Sequence, residues 1–599
     1  MIVPLKWLSE YVKLPTRVSD LTDKLTSVGH MLDKTIANGI DLELRGNRPD
    51  MLGLVGVARE VAAIFNTRLQ SPPTTPLPKT DKKSPLVNVD QSASDLVTRY
   101  TGFTLAVKVR PSPSWLVERL AAWGVPAINN VVDITNYVMI ETGQPLHAFA
   151  LDQLSGRRLI LRRAKKGEKF HTIHQGQVLY LTSEDLVICD AEKPQALTMI
   201  GGLHSKVTDH TTEILLESAV YNQANCRRCA RRLKITTDAS TRHEKLLHPA
   251  QVIWALERAY YLLQELASAK STSLVSDYYP QTPSQVVINF DPAEVVRLGG
   301  INIPPSEISG ILARLEFQVA LPKVTVPSFR TDIEQSADLV EEVLRLHGYD
   351  RIPSTPLSGA IPAPQTYPSY SIQEKLRRHL ISLGLNEVIT LPIISNRFAT
   401  PASARLVNSP DPDAAVLRTS LMPGLSQYAT RWLNFNQPRV AIFEIGKVFC
   451  KSKSKFSESL MLGIGVASLK VRLQDLTGVI QKLAALLGTA LKPQITAQKN
   501  IFCAEINVDQ LLPQLPRFTN PYSIISQFPP IIEDINVAYT GNYAAIVARI
   551  KKISSLINQI ELIDKFENKL TLRLTYHDPK KQLSSTDIAP IRQKLESLI

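Results

Sequence analysis

Four carboxylates lie close together in residues 330–353, which read RTDIEQSADLVEEVLRLHGYDRIP. Asp332 precedes a helical pattern that carries three more acidic residues on one face, because residues three and four apart are neighbours on a helix. These three are Asp338, Glu341 and Glu342. Adjacent carboxylates repel one another unless a cation lies between them, and Mg²⁺ prefers such hard oxygen ligands. Spacing alone leaves two interpretations open, a Mg²⁺ site and a solvated acidic helix near a favourable N-terminal dipole.

Several domains must surround this helix, because 599 residues exceed the size of one hydrophobic core. The hydrophobic share of 44% is ample for burial, so wholesale disorder is excluded. Proline-rich and polar stretches mark the expected boundaries. The predicted regions are a helical and α+β region at 1–70, a linker at 71–94, an α+β region at 95–268, the acidic-helix region at 285–355, a mixed region at 370–515 and a terminal α+β region at 522–599.

Charge and cysteine usage limit the class of protein further. The net charge of +13 suits a polyanionic partner such as RNA, although solubility alone would also explain it. The five cysteines are irregularly spaced, and the single CxxC lacks the further ligands of a structural zinc site. No apolar run reaches transmembrane length and the N-terminus lacks a signal-peptide pattern, so a soluble, cytoplasmic protein is expected.

The acidic segment resembles the sequence RxDI-x5-DLVEEVxRxxGYDxIP of the β subunit of bacterial phenylalanyl-tRNA synthetase. Other stretches resemble the same subunit in the family order, and together they cover nearly the whole chain. They include NRPDMLGLVGVAREVAA at 47–63, NNVVDITNYVMIETGQPLHAFA at 129–150 and AIFEIGKVF at 441–449. One departure concerns an inserted OB-fold tRNA-binding domain of most members. Here GHMLDKTIANG runs almost directly into IDLELRGNRPD, which leaves no room for that barrel.

The resemblance implies a fold class, a metal site and a partner chain that binds ATP. The chain would be a multi-domain α+β protein with an α+β editing domain, a winged-helix-like metal-site domain, a class II synthetase-like antiparallel-sheet module and a C-terminal ferredoxin-like domain. The implied ligands of a structural Mg²⁺ are Asp332, Asp338, Glu341 and Glu342. Because the chain has no FRxE, GxGxGxxR or P-loop pattern, ATP would be bound on a partner, the α subunit of an (αβ)₂ heterotetramer.

The resemblance also places an editing site in residues 95–268. That site would hydrolyse tRNA-Phe mischarged with tyrosine, through a positioned water because no Ser-His-Asp or Cys-His set is evident. The implied catalytic residues are His147, Glu217 and Thr237, and the implied substrate-binding residues are Asn136, Gly201 and Ala239. From the residues alone, an interior histidine, a surface glutamate and a tight-turn glycine are the alternatives.

Basic residues suggest where tRNA-Phe would bind. CRRCARRLK at 226–234 places arginines on both sides of a helix, and the terminal domain adds lysines, although solvated surface charge is the alternative. The candidates are Arg227, Arg228, Arg231, Arg232, Lys565 and Lys569. The sequence therefore favours the β subunit of a phenylalanine–tRNA ligase. A free-standing tRNA-editing deacylase and a tRNA-binding scaffold with an inactive pocket are the alternative functions.

Overall fold

The computed structural model describes residues 1–81, 84–173, 178–356, 359–360, 368–453, 455–511, 513, 526–539 and 541–596. The chain divides into two compact units, Met1–Ser358 and Gly359–Ile599. Both contain helices and several separate, mainly antiparallel sheets, so the protein is a multi-domain α+β protein as expected. No helix in the described ranges is long and apolar enough to cross a membrane.

A three-stranded antiparallel sheet and its helices open the first unit. The elements are β1 (Ile2–Pro4), α1 (Leu5–Leu8), α2 (Val18–Ser27), β2 (Met31–Ile36), β3 (Gly39–Glu43) and α3 (Leu54–Phe65), with strand order β1-β3-β2. Only two residues separate β2 from β3. This short hairpin connection confirms that no OB-fold domain is inserted at this position.

The next region contains two five-stranded sheets. Its elements are β4 (Val87–Val89), β5 (Val97–Ala106), α4 (Ser114–Trp123), α5 (Asn130–Thr142), β6 (Leu146–Ala150), β7 (Leu159–Arg163), β8 (Lys169–His171), β9 (Val178–Tyr180), β10 (Leu186–Cys189), β11 (Pro194–Leu197), β12 (Ile200–Gly201), β13 (Glu213–Tyr221), α6 (Gln223–Leu233), α7 (Asp238–His243), α8 (Gln251–Ala267), β14 (Lys270–Ser271) and β15 (Ser276–Tyr278). One sheet has the order β12-β11-β10-β7-β4. The other has the order β14-β5-β13-β6, with β15 also paired to β5.

Strand β13 has two different buried faces, because successive side chains of a strand point to opposite sides. Ile214 and Leu216 belong to the core formed with α5 and α8. Leu215 and Ala219 belong to a second core, which includes residues of the other five-stranded sheet. The same alternation places Glu217 on this second side, where an ionisable group is unusual.

The predicted linker at 71–94 and the segment after residue 268 are partly built into this region. Residues 87–89 of the predicted 71–94 linker form β4, which pairs in parallel with β7. The backbone N–H of Thr75 also donates to the backbone carbonyl of Glu257 on α8 at 3.2 Å. After residue 268, β14 and β15 pair with β5. The linker prediction is therefore wrong for 87–89, because valines in a short alternating run gain more from sheet burial than from solvent.

The acidic-helix region has three strands and three helices. They are β16 (Val287–Asn289), α9 (Ala293–Gly299), α10 (Pro305–Arg314), β17 (Gln318–Ala320), β18 (Lys323–Thr325) and α11 (Ser336–His347), with sheet order β16-β18-β17. The helix expected from the acidic spacing is α11. Its apolar residues, such as Leu339 and Val343, pack against α9, α10 and the sheet in one core.

The second unit begins with a five-stranded sheet covered on both faces. Its elements are α12 (Pro368–Ser382), β19 (Asn386–Glu387), β20 (Ile393–Ile394), β21 (Val416–Leu417), α13 (Met422–Asn434), β22 (Arg439–Ser452), β23 (Lys455–Ser468), α14 (Leu473–Leu487), β24 (Gln494–Gln498), β25 (Ile501–Asn507) and α15 (Val508–Leu511). The sheet order is β19-β22-β23-β25-β24. Helices α12 and α14 share one core with Phe443, and α13 shares another with Ile442.

The described part of the terminal region has the element order strand, helix, strand, strand, helix. The elements are β26 (Ile531–Ala538), α16 (Tyr543–Lys551), β27 (Ile557–Phe566), β28 (Lys569–Tyr576) and α17 (Ser585–Glu596). The strands form an antiparallel sheet in the order β26-β28-β27, and the helices share its core.

Candidate functional site

A cavity of about 140 Å³ in the first unit is lined by residues of the two five-stranded sheets of that unit and by α5 and α7. Strands β6 and β13 contribute from one sheet, and β11 and β12 contribute from the other. Five of the six predicted editing residues line this cavity: Asn136, His147, Gly201, Glu217 and Ala239. Residues far apart in the sequence therefore meet around one space large enough for a small group.

Glu217 is a carboxylic acid that β13 presents to the cavity. Its side chain is only 6% exposed, and its Oε2 has no hydrogen-bond partner among the described residues. Burial raises the pKa of the carboxyl to about 8. A carboxyl group with this pKa is largely protonated at neutral pH, so it can donate as well as accept a hydrogen bond. The nearby Tyr100 hydroxyl is buried and interacts with this carboxyl, which opposes the rise in its pKa.

His147 lies directly across from Glu217 in the β6–β13 pairing. Its ring is partly buried and packs edge-on against Phe149, with 4.5 Å between ring centroids. Burial lowers the pKa of the imidazole to about 4, so the ring is neutral at physiological pH. A neutral ring with so low a pKa is a weak general base, and it is better suited to orienting a polar group by hydrogen bonding.

Thr237 differs from the other predicted residues because it does not line the cavity. Its hydroxyl donates to the carbonyl of Met199 at 2.8 Å and accepts from the N–H of Ser240 at 3.0 Å. Thr237 is therefore the N-cap of α7 and ties this helix to the segment before β12. The hydroxyl's only proton is committed to Met199, so the structure gives Thr237 a positioning role, and its catalytic role stays a prediction.

Sequence reasoning missed His243, the last residue of α7. His243 lines the cavity and is 6% exposed, and its Nδ1 lacks a partner in the described part of the chain. Its ring packs edge-on against Tyr221, with 4.9 Å between centroids. The signal available in the sequence was its spacing of four residues from Ala239, which places both side chains on one face of a helix.

Family models match three stretches of the chain. The B3/4 domain matches residues 98–268, which contain the cavity. The tRNA synthetase B5 domain matches residues 288–349, and the phenylalanyl tRNA synthetase beta chain CLM domain matches residues 352–509.

Curated relatives of the chain point to the same synthetase subunit as the family models. The phenylalanine–tRNA ligase beta subunit of Clostridium acetobutylicum is 30% identical over 626 residues, covering 93% of this chain and 78% of that protein. This chain belongs to the phenylalanine–tRNA ligase β subunit family. The Geobacter metallireducens member is 36% identical over 438 residues, and the Carboxydothermus hydrogenoformans member is 37% identical over 462 residues. These matches cover 69% and 74% of this chain but only 54% and 57% of those two family members, just over half of their length.

The acidic cluster of this family member is held by arginines. Both oxygens of Asp332 accept from Arg330, at 2.9 and 3.0 Å. Glu342 accepts a hydrogen bond from Arg330. It also accepts two from Arg345, at 2.8 and 2.6 Å. Burial opposes ionisation of Glu342, but the two guanidinium groups hold its pKa at about 2. Two of the four predicted Mg²⁺ ligands are therefore already neutralised by cations.

The other two predicted ligands do not complete a metal site. Asp338 caps α11, because its Oδ2 accepts from the backbone N–H groups of Glu334 and Gln335 at 2.8 and 3.0 Å. Glu341 is exposed. Across the described ranges, no three His, Cys, Asp or Glu side chains are grouped to hold a metal ion. As arranged, these residues do not fit a Mg²⁺ site, and the ligand set stays a prediction.

The ion pairs of the acidic cluster form one buried network with residues of α3 and of the segment before it. Arg345 donates to both oxygens of Glu60 on α3, at 2.8 and 3.0 Å. Arg48 also donates to Glu60, and it binds both oxygens of Asp50 at 2.9 and 2.8 Å. Residues about 300 positions apart are thus joined by buried, charge-assisted hydrogen bonds, which are stronger than neutral ones.

The predicted basic residues lie at the surface. Arg227, Arg228, Arg231 and Arg232 are exposed on α6, and Arg232 forms an ion pair with Asp185. The buried side of α6 carries Cys226 and Cys229, which pack in two different cores. Burial raises the pKa of the Cys226 thiol to about 11, so the thiol stays protonated at neutral pH.

The predicted basic residues of the terminal region flank the turn of the β27–β28 hairpin. Lys565 and Lys569 are exposed there, and Phe566 is 72% exposed. The Lys565 ammonium lies 4.4 Å from the centroid of the Tyr539 ring, a cation–π contact. The hairpin end thus combines positive charge with an accessible aromatic ring.

Proposed function

We propose that this chain is the β subunit of a phenylalanine–tRNA ligase and that its cavity hydrolyses tRNA-Phe mischarged with tyrosine. The observation that carries the proposal is a group of buried polar atoms without partners at the cavity. Among the described residues, these are Glu217 Oε2 and His243 Nδ1. Buried polar groups are nearly always hydrogen-bonded, so unpaired ones around a cavity indicate a polar ligand.

A second site of this kind is needed because a pocket for phenylalanine cannot strongly reject a ring that only adds a hydroxyl. Glu217 would recognise that hydroxyl through a hydrogen bond. With tyrosine in the cavity, the carboxyl gains a partner, whereas phenylalanine would leave it unsatisfied at a cost of about 1–3 kcal/mol. The small side chains of Ala219 and Ala239 at the cavity wall leave space for the ring.

Hydrolysis would proceed by attack of water on the ester carbonyl that joins tyrosine to the terminal ribose. The water oxygen bonds to the carbonyl carbon, the ester C–O bond breaks, and the ribose hydroxyl leaves with a proton. His147 is neutral and would orient the ester or the water, and the ribose hydroxyls would assist proton transfer. Thr237 acts indirectly, by fixing α7 and therefore Ala239 at the cavity wall.

Aminoacylation itself would take place on a partner chain. In the sheet module of the second unit, Arg418 is buried and its guanidinium donates to Glu444 at 2.7 Å, so it is not free for ATP phosphates. The same unit exposes large apolar side chains, including Ile389 at 92% and Leu391 at 78%. Exposed apolar residues of this kind support a protein partner. We assign that partner as the α subunit, which binds ATP in an (αβ)₂ heterotetramer.

Binding of tRNA-Phe would use the arginines of α6 and the lysines of the β27–β28 hairpin, in the cytoplasm. The exposed apolar residues of the second unit count against a free-standing deacylase. The unpaired polar atoms at the cavity count against a scaffold with an inactive pocket, because an inactive cavity gains nothing from unsatisfied buried groups.

Co-expression with a phenylalanine–tRNA ligase α subunit tests the assignment of the partner. We expect a stable complex on size-exclusion chromatography that charges tRNA-Phe with phenylalanine, and no charging by this chain alone. Substitution of Leu391 by aspartate should weaken the complex, while Leu203→Asp, at an exposed leucine of the first unit, should leave it intact. A lone chain that charges tRNA-Phe by itself would contradict the assignment.

Gly201 provides a test of the cavity wall. A Cβ at this position would lie 2.8 Å from Cε1 of His147, closer than carbon atoms normally approach. We expect Gly201→Ala to displace the imidazole and to slow deacylation of tyrosyl-tRNA-Phe roughly tenfold to hundredfold. Gly310→Ala is the matched control, because a Cβ there meets no atom within 4 Å. Equal activity of the two variants would remove His147 from the mechanism.

A further inference from the structure

We infer that His243 is a further specificity-determining residue of the cavity, which binds the ring hydroxyl of the substrate together with Glu217. The inference rests on the proposed editing function and deepens it. The six predicted pocket residues do not include this histidine.

The placement of His243 follows from the geometry of α7 and β13. Thr237 caps α7 and anchors it beside β12, so the helix face that carries Ala239 and His243 is turned to the cavity. On β13, Glu217 and Tyr221 share a face because they are four residues apart in a strand. The rings of Tyr221 and His243 are in edge-on contact. Glu217, Tyr221 and His243 all line the same cavity.

The charge state of His243 suits a neutral ligand. Burial, with a smaller effect of neighbouring Arg242, lowers the pKa of the imidazole to about 3, so the ring is neutral at physiological pH. Arg242 itself donates to the carbonyls of Leu52 and Asp238, both at 2.9 Å. The histidine therefore brings hydrogen-bonding capacity to the wall without bringing charge.

A phenol hydroxyl needs two kinds of partner, because it donates one hydrogen bond and accepts others. Glu217 can supply either role, since its pKa near 8 makes both protonation states accessible at neutral pH. The neutral imidazole of His243 can supply the complementary role, because it has one donor and one acceptor nitrogen. Tyrosine would satisfy both residues, and phenylalanine would leave both unpaired.

A packing role is the competing explanation, because an imidazole edge-on to Tyr221 could simply fill space. The unpartnered Nδ1 counts against it, since a phenylalanine in the same place would fill the space without an unsatisfied nitrogen. Two substitutions separate the explanations. His243→Phe keeps an aromatic ring and removes both nitrogens, whereas His243→Asn keeps a polar atom close to the position of Nδ1.

The experiment measures kcat/KM for deacylation of tyrosyl- and phenylalanyl-tRNA-Phe by the full complex. We expect His243→Phe to lower the value for the tyrosyl substrate roughly tenfold and to leave the phenylalanyl substrate unchanged, with His243→Asn retaining most of the discrimination. If His243→Phe fails to fold, as judged by thermal unfolding, His243→Leu replaces it.

Three results would overturn the inference. Unchanged discrimination in His243→Phe, alongside a loss in Glu217→Ala, would leave the editing function standing and remove His243 from it. Equal losses on both substrates, without rescue by His243→Asn, would assign His243 to packing. Absence of tyrosyl-tRNA-Phe deacylation by the wild-type complex would remove the proposed function and the inference with it.

Discussion

Replacement of Glu217 by alanine is expected to lower the hydrolysis of tyrosyl-tRNA-Phe by roughly tenfold to hundredfold and to change that of phenylalanyl-tRNA-Phe little. The reason is that the carboxyl is buried and its pKa is raised to about 8, while its Oε2 has no hydrogen-bond partner among the described residues, so it gains most from a substrate hydroxyl. The measurement is the deacylation rate of each preformed aminoacyl-tRNA with the complete complex.

Two further variants make the Glu217 result interpretable. Glu217→Gln keeps hydrogen-bonding groups in place and should lose less selectivity than Glu217→Ala. Glu192→Ala, at an exposed glutamate of the same region, should behave as wild type. Retention of full selectivity by Glu217→Ala would show that another group reads the hydroxyl.

Replacement of Arg345 by leucine is expected to lower the free energy of unfolding of the first unit by about 3–5 kcal/mol. Arg345 is 4% exposed and donates to Glu60 and Glu342, which are also buried, so the variant leaves uncompensated carboxylates in a low-dielectric environment. Denaturant unfolding followed by circular dichroism measures the change. Arg297→Leu removes an exposed arginine paired with Glu294 on α9 and should leave stability nearly unchanged, because exposed ion pairs contribute little.

The pH dependence gives a second readout of this ion network. The pKa of Glu342 falls from its ordinary 4.5 to about 2 in the folded protein. A depressed carboxyl pKa stabilises the folded state fully above the unfolded value, and that stabilisation is lost as pH falls through the folded value. The difference between wild type and Arg345→Leu should therefore be largest above pH 4.5 and shrink toward pH 2. A difference independent of pH would mean that Arg345 acts through packing alone.

The acidic helix illustrates what the sequence could predict. Spacing alone places Asp338, Glu341 and Glu342 on one helix, and α11 is found there. Spacing could not show that Arg330 and Arg345, from the same string, bind two of the carboxylates. Nor could it show the contact with Glu60, because residues so distant in sequence meet only through the tertiary fold.

The cavity was predictable through family resemblance, residue by residue, and much less through local physics. Asn136, Gly201 and Ala239 become wall residues only when two sheets and two helices meet. Thr237 was assigned to chemistry although a Thr followed three residues later by Ser also resembles a reciprocal helix cap, which is its observed role. His243 went unnoticed because a lone histidine in a polar string carries no distinctive signal.

The central claim is that the cavity between the two sheets clears tyrosine from tRNA-Phe, and one measurement tests it most directly. Preformed tyrosyl-tRNA-Phe and phenylalanyl-tRNA-Phe are incubated separately with the complete wild-type complex, and the ester remaining is followed with time. We predict rapid loss of the tyrosyl ester and persistence of the phenylalanyl ester. Equal decay of the two esters, at the rate seen without protein, would contradict the claim.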